Sequence, residues 1–465
     1  YRVRAYSGST SKSYSAFSNE LFVKPNTPPT GVDTAIAYPG PRSVAVKWPD
    51  TSSVKRKYNV YRGIDKDNLD KVASAVDTTY YIDNTAIANT KYFYGVRVVD
   101  SVGAASPISK LTTVVPNNIW VIDTAGKASN NGSTGLPIKS IQFAIDNGAA
   151  GDTILLNNGT YYENLQLIKK TYTLIAKNKG KVTISPLDPA ASPILKIQDQ
   201  GDWNVTNYSK APNKIIGITF SGSTFNQWNK GFPSAIEISY NSNPIFEACT
   251  ISNNTSIVAI LVDQSAPVFR NSLIINNTGE RGAFYASGGQ DSTRPRTKVA
   301  RFVNSIIYNN SFLSRYDGNM NKAFVIFNSI LSNNGYENST STSNYKVVGS
   351  VVDNIAFTKQ SATNVLSDPQ FNNASNNDYS LSNFSPGLGR MQAVLYLTGS
   401  NNEKDTLNAL TYDYNNVSRP LPVGTNGDAG AFENKYSNPA PQISRLQKAG
   451  TAVTITWAKT DSTVL

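Results

Sequence analysis

The chain has 465 residues, more than one ordinary hydrophobic core accommodates, so two to four domains are expected. Lys and Arg number 43 against 32 Asp and Glu, a net charge of +11, yet no run of like charge exceeds three residues. This describes a dispersed basic surface that suits an acidic partner and lacks the basic stripe or motif of a nucleic-acid binder. A single cysteine, Cys249, excludes an internal disulfide, and the absence of histidine removes the commonest acid–base and zinc chemistry. No apolar run is long enough to span a bilayer. Abundant Asn, Ser, Thr and Gly, with 25 Tyr, point to strands and turns rather than helices.

The opening stretch YRVRAYSGS reads as the middle of a strand, so the true N-terminus is expected elsewhere. From 27 to 116, short apolar runs alternate with turn signals. SVAVKW puts Val44, Val46 and Trp48 on one strand face, KYNVYRG adds Tyr58 and Val60, and KYFYGVRVVD adds Tyr92, Tyr94, Val96 and Val98. Period-two strands at this spacing predict a small antiparallel sandwich. The early Trp48, the Y-x-V-Y-R strand and the late Y-x-Y-x-V-x-V strand resemble a fibronectin type III domain across nearly all of the segment.

Both ends of the chain share that resemblance. Residues 1–24 resemble the last two strands of another such domain, and 438–465 the first two strands of a third, with Trp457 in the place of Trp48. A lone hairpin is marginal in water. The chain is therefore read as part of a longer protein, with completion of the strands by a neighbouring copy as the other reading.

Residues 117–434 differ in character. In PIKSIQFAIDNG, Ile138, Ile141, Phe143, Ala144 and Ile145, followed by Gly148, predict a short amphipathic helix that caps the open end of a stack. GDTILLNNGTYYEN then reads as a first coil, with Ile154 and Leu156 pointing in. Further on, the phrases PIFEACTISNN, PVFRNSLIINN, ARFVNSIIYNN and FVIFNSILSNN close on Asn254, Asn277, Asn310 and Asn334. The steps are 23 (254 to 277), 33 (277 to 310) and 24 (310 to 334), the middle one a unit with about ten residues inserted. Five residues before each Asn stands Cys249, Ser272, Ser305 or Ser329; two after that stands Ile251, Ile274, Ile307 or Leu331.

A period in the low twenties with few leucines and alternating apolar residues predicts a right-handed parallel β-helix, an all-β solenoid flanked by the fibronectin type III sandwiches. The aliphatic column is expected to fill the interior, and the asparagines to occupy sharp corners and bond between coils. Cys249, in the small-residue column, is expected to be buried and inert.

The stretch from NNGSTGLPIKS to GTYYEN resembles the opening of secreted bacterial β-helix repeat proteins of the pectate-lyase-like superfamily. SDPQFNNASNNDYSLSNFSPGLGR and RPLPVGTNGDAGAFE resemble the closing motifs of its surface-anchored members. The family pattern carries an acid after the Ser-Pro of the first closing motif. Gly387-Leu388-Gly389 stand there, so any role of that acid is absent. These motifs are fold-forming and imply shape more than chemistry.

Some relatives of the fold are polysaccharide lyases, in which a Lys or Arg base abstracts a proton beside a uronate carboxylate. The insertion GERGAFYASGGQDSTRPRTKVAR gathers Arg281, Asp291, Arg294, Arg296, Lys298 and Arg301 with Phe284 and Tyr285. Solenoid excursions commonly form the binding face. Trp203 in DQGDWNVTNY, and Phe225, Trp228 and Phe232 in STFNQWNKGF, are read as bordering the same groove. Exposed aromatics beside cations suit sugar rings and carboxylates. The expected ligand residues are Arg281, Asp291, Arg294, Arg296, Trp203, Trp228 and Tyr285, with Lys298 and Arg301 the candidates for any catalytic base. No cofactor is expected, and no motif supports calcium or another metal.

Three function classes remain open. The preferred one is a bacterial extracellular or outer-surface modular protein, an adhesin or glycan binder, holding an acidic polysaccharide or cell-surface glycan. Export by a dedicated secretion apparatus is read from the composition. The others are a secreted polysaccharide lyase and a structural surface-layer or filament component.

Overall fold

The structure, a computed structural model, describes residues 2–21, 27–190, 192–198, 212–227, 233–240, 242–287, 299–313, 324–336, 345–398, 404–439, 443–449 and 452–457. The chain divides into two compact units, Tyr1–Asn117 and Asn118–Leu465. Both are dominated by strands.

In the first unit, a three-stranded sheet in the order Ile36–Gly40, Ser43–Lys47, Tyr80–Asp83 faces a four-stranded one in the order Asn68–Val76, Lys57–Asp65, Tyr92–Val99, Thr112–Val114. Every pairing is antiparallel. The core holds the alternating residues of both sheets: Val44, Val46, Trp48, Tyr58, Val60, Tyr92, Tyr94, Val96 and Val98. Trp48 packs on Tyr58 with ring centroids 5.1 Å apart. The fully buried Asp83 is held by Tyr94 Oη (2.7 Å) and by Arg62 Nη1 (2.8 Å), which satisfies a charge that would be costly alone. The unit also contains the short antiparallel pair Tyr6–Ser7 and Ser13–Tyr14, with both tyrosine rings exposed.

The second unit opens with strand Ile119–Ile122 and helix α1, Ile141–Asn147. Ser140 caps α1 by accepting from the Phe143 amide, and the Glu163 carboxylate accepts from the Ile141 and Gln142 amides at 2.8 and 2.9 Å. Ile141, Ala144 and Ile145 are buried against the first coil. Phe143 is 42% exposed rather than inward, its ring edge meeting Trp120 at 6.4 Å. Only Ile141, Ala144 and Ile145 share the inner stripe of so short a helix.

The solenoid consists of three parallel sheets. The first has nine strands: Ile119–Ile122, Thr153–Leu156, Thr173–Ala176, Lys214–Ile216, Ile245–Glu247, Val268–Arg270, Ala300–Val303, Phe324–Phe327 and Tyr345–Val348. The second also has nine: Gly159–Tyr162, Val182–Ser185, Ile218–Ser221, Thr250–Ser252, Leu273–Ile275, Ile306–Tyr308, Ile330–Ser332, Val351–Val352 and Val365–Leu366. The third has five: Leu165–Ile168, Leu195–Gln198, Ser234–Ser239, Val258–Asp263 and Phe284–Ser287. Each strand pairs with its equivalent one coil on, the arrangement of a parallel β-helix, for which right-handed winding is the rule.

Ile251, Ile274, Ile307 and Leu331 are in register across successive coils and fully buried, so the expected interior file exists. A parallel file on the first sheet stacks Phe246, Phe269 and Phe302 with centroids 4.7 and 4.9 Å apart, near the spacing of neighbouring strands.

The two asparagines of each phrase divide the labour expected of one. The first (Asn253, Asn276, Asn309, Asn333) takes the left-handed corner at φ of 54, 57, 56 and 56°. The second turns inward and is buried rather than lying outside. Asn254 Nδ2 donates to Asn277 Oδ1 (3.0 Å), Asn277 to Asn310 (2.9 Å) and Asn310 to Asn334 (2.8 Å). Each oxygen also accepts the backbone amide of the coil below. The small-residue column forms a second ladder, the amides of Cys249, Ser272 and Ser305 donating to the hydroxyls of Ser272, Ser305 and Ser329. Burial pushes the Cys249 thiol up to about 12, and it donates to the Ile215 carbonyl.

Residues 367–398 and 404–434 form a closing segment folded back on the solenoid. Its hairpin Phe371–Asn373/Asp378–Leu381 and the residues that follow place Tyr379, Leu381, Leu388, Ala429 and Ala431 over Leu273, Ile275, Ile306, Ile330 and Val351 of the second sheet. Hairpin Val394–Thr398/Lys404–Asn408 places Leu395 and Leu407 over Val303, Val325 and Phe327 of the first. A further set of left-handed corner asparagines hooks the segment on: Asn271 donates to the Tyr412 carbonyl, Asn304 to that of Asp428 and Asn328 to that of Gln392. Buried Arg419 ties its end together, donating to the carbonyls of Asp428 and Gly430 beside the Glu433 carboxylate. Beyond it, Ile443–Ala449 and Ala452–Trp457 pair as an antiparallel hairpin with Leu446, Val453 and Ile455 exposed. The side chain of Trp457 lies outside the described residues. Among the described residues no helix is long and apolar enough to cross a membrane.

Candidate functional site

The described residues of the closing segment pack on the first and second sheets. Among the described residues the hydrophobic cluster on the outside of the third sheet is Val258, Leu261 and Tyr285 alone, with no member from 367–434. Period-two alternation sends Leu165, Leu195 and Ile236 inward and their neighbours Gln166, Lys196 and Glu237 outward. In-register pairing aligns those neighbours in one row, Gln166, Lys196, Glu237, Leu261, Tyr285. At about 4.8 Å per strand the row runs about 19 Å.

Polar members of the row border a hollow of about 200 Å³, lined also by Asn164, Ser192, Pro193 and Phe225. Lys196 Nζ lies 3.0 Å from Glu237 Oε1, and the hydroxyl of Ser239 donates to the same oxygen at 3.2 Å. The side chains are 32% and 15% exposed, so the pair is open on the lysine side and seated on the carboxylate side. Such a pair offers a point cation for a sugar carboxylate and an acceptor for an adjacent hydroxyl.

The residues expected to bind sort into three groups. Trp203, Trp228, Asp291, Arg294, Arg296 and Lys298 lie outside the described residues, as does Phe232. In the chain the segment of Trp203 stands between Gln198 and Lys214, that of Trp228 between Ser221 and Ser234, and that of Lys298 between Ser287 and Ala300, each flanked by a strand of the third sheet on one side and of another sheet on the other. Arg281 and Tyr285 are on the face. The Arg281 guanidinium lies 5.0 Å over the Tyr285 ring, and Tyr285 is only 6% exposed, so the ring is no open stacking platform for sugar. Phe225 is buried behind the hollow, and Phe284 packs on Phe302 at 4.4 Å in the core. Arg301 is on the first sheet, paired with Asp405 of the second closing-segment hairpin. It fastens that hairpin and is not placed with the third-sheet residues.

Lys196 and Glu237, the centre of the hollow, were not expected from sequence. Their signal was the single polar position between two isoleucine-type neighbours in LKIQ and IEIS, legible once the strands are paired. Among the described residues no group of three or more His, Cys, Asp or Glu is placed to hold a metal ion.

No protein-family model and no curated protein matches the chain. Similar solved structures include a fibronectin type III-like protein from Clostridium thermocellum, with 21% identity over 19% of this chain and 92% of that one, TM-score 0.17. A β-1,2-glucanase from Parabacteroides distasonis matches with 21% identity over 20% of this chain and 14% of its own, TM-score 0.17. Module A71 of human cardiac titin matches with 18% identity over 19% of this chain and 92% of its own, TM-score 0.16.

Proposed function

We propose that the protein is an extracellular, modular surface protein that binds an acidic glycan along the outer face of the third solenoid sheet. The observation that carries this reading is the contrast between faces: the chain covers much of the first and second with its own closing segment and leaves on the third a polar row with a Lys196–Glu237 hollow. The insertion 279–301 carries five cations against two acids in sequence; of these Arg281 lies on this face and Arg301 on the first sheet. Lys196 at a hollow the size of a small sugar unit favours an acidic chain, a polyuronate or a sulfated one, over a neutral one.

In this reading residues 27–116 are a fibronectin type III spacer, 1–24 and 438–465 are portions of neighbouring spacers, and 117–434 is the presented solenoid. The spacers hold the binding face away from a bacterial cell surface, reached through a secretion apparatus. No catalytic step is assigned: Arg301 is paired with Asp405, and Lys298 lies outside the described residues.

An affinity test decides it. The chain should be retained by immobilised polygalacturonate, alginate or heparin and released by salt, as charge-driven contacts require. Lys196→Gln should lower the affinity about tenfold, the loss of one charge-assisted hydrogen bond. Retention by none of the three polymers, or equal retention of the variant, would refute the assignment.

A further inference from the structure

A second recessed surface lies at the far end of the solenoid. Two hollows of about 670 and 740 Å³ adjoin there, and they share two lining residues, Asn333 and Asp353. Tyr336 Oη donates to Asp353 Oδ1 at 2.5 Å, and the Asn333 amide donates to Oδ2 at 2.6 Å. The backbone amides of Asp353 itself and of Asn334 also hydrogen-bond to this carboxylate, which lines both hollows. The Tyr336 ring is itself braced by Phe357, centroids 5.9 Å apart.

The larger hollow adds Tyr308, Ser332, Ser367, Asp368 and Gln370. Tyr308 is half-buried and fixed edge-on by Phe371 (5.3 Å) and Tyr379 (5.6 Å). Among the described residues neither hollow is lined by a Lys or Arg, although the chain carries a net charge of +11. The surface thus presents hydroxyls, amides, two carboxylates and a rigid aromatic ring. Hydroxyl donors with apolar C–H faces match that lining, whereas uronates and sulfates meet like charge.

We infer that these adjoining hollows are a second saccharide site, taking an uncharged oligosaccharide with a sugar unit on either side of Asp353. Its chemistry is opposite to that of the third-sheet face, and the inference stands independently of that one. A protein with both sites bridges an acidic and a neutral glycan.

The test uses the full chain in titrations with cellohexaose, xylohexaose, mannohexaose and chitohexaose, and with hexagalacturonate as the acidic control. At least one neutral hexaose should bind. Asp353→Asn, which keeps shape and removes charge, should weaken that binding tenfold or more without moving the hexagalacturonate result. Lys196→Gln should leave the neutral hexaose unchanged. Asp368→Asn, at an exposed position, provides a second variant that leaves the fold intact and should weaken the same hexaose at least threefold. Binding of none of the four, binding indifferent to both aspartate variants, or loss of neutral binding on Lys196→Gln would each overturn the inference. Neutral binding that survives while acidic binding is lost separates this site from the third-sheet reading.

Discussion

The second and third sheets are built from the same coils, yet their outer faces have different fates. On the second, the outward positions of the middle coils are Leu273, Ile275, Ile306 and Ile330, all buried beneath the closing segment. On the third, outward Gln166, Lys196 and Glu237 are polar and reach solvent. Inward residues barely differ between the two. The contrast lies in the outward column and holds for the coils of Gln166, Lys196 and Glu237; over the next two coils the same column becomes the buried Leu261 and Tyr285.

The sharpest way to break this comparison is to exchange the characters. Ile306→Asp buries an unpaired charge under Tyr379 and Leu388 and should cost about 3–5 kcal/mol in denaturant unfolding. Gln166→Asp, on the bare face, should stay within about 0.5 kcal/mol. Equal costs would abolish the distinction.

A pH titration tests the clasp that holds the clothing in place. Burial, then the neighbouring Glu433, push Asp428 up to about 7, against an unfolded value of 3.8. A folded value above the unfolded one means that the contribution of Asp428 to stability is fullest below about pH 4 and declines as pH rises to about 7. The ceiling on this loss is about 4 kcal/mol for a shift of about three units. Asp428→Asn should flatten the slope of stability against pH over that interval; an unchanged slope would remove Asp428 from the clasp.

The two asparagines of one phrase should then differ. Asn310→Ala deletes a buried rung and should cost about 1–3 kcal/mol, since Asn277 loses its acceptor. Asn309→Gly keeps the left-handed corner, loses only exposed amide contacts and should cost well under 1 kcal/mol. Arg301→Ala is smaller than the rung, about 1 kcal/mol, because Asp405 is 41% exposed and solvent screens the pair. Its mark should be faster proteolysis within 394–408.

Much of the solenoid was legible because its signal repeats. Ile251, Ile274, Ile307 and Leu331 recur at one offset in four phrases, and only stacked coils use such a column. The phrase-closing Asn pair was legible as a corner but not as two roles, since a sequence does not say which of two identical side chains turns inward. The Asn before each Ser, at 271, 304 and 328, passed as part of a strand, although it is the corner that grips the closing segment. The fates of Tyr285 and Arg301 were hidden because each depends on a neighbour that is not obvious from local spacing. Tyr285 is outward by parity and then covered by Arg281; Arg301 meets Asp405, 104 residues away. The hollows around Asp353 had no local motif at all, being assembled from residues between 308 and 374 that meet only after the coils stack.

Hydrogen exchange with and without a polygalacturonate oligomer tests the glycan-face assignment most directly. Saturating oligomer should slow exchange in Leu165–Ile168, Leu195–Gln198 and Ser234–Ser239, and leave hairpin 394–408 unaltered. Protection confined to the first sheet or the closing segment, or protection nowhere, would contradict the account.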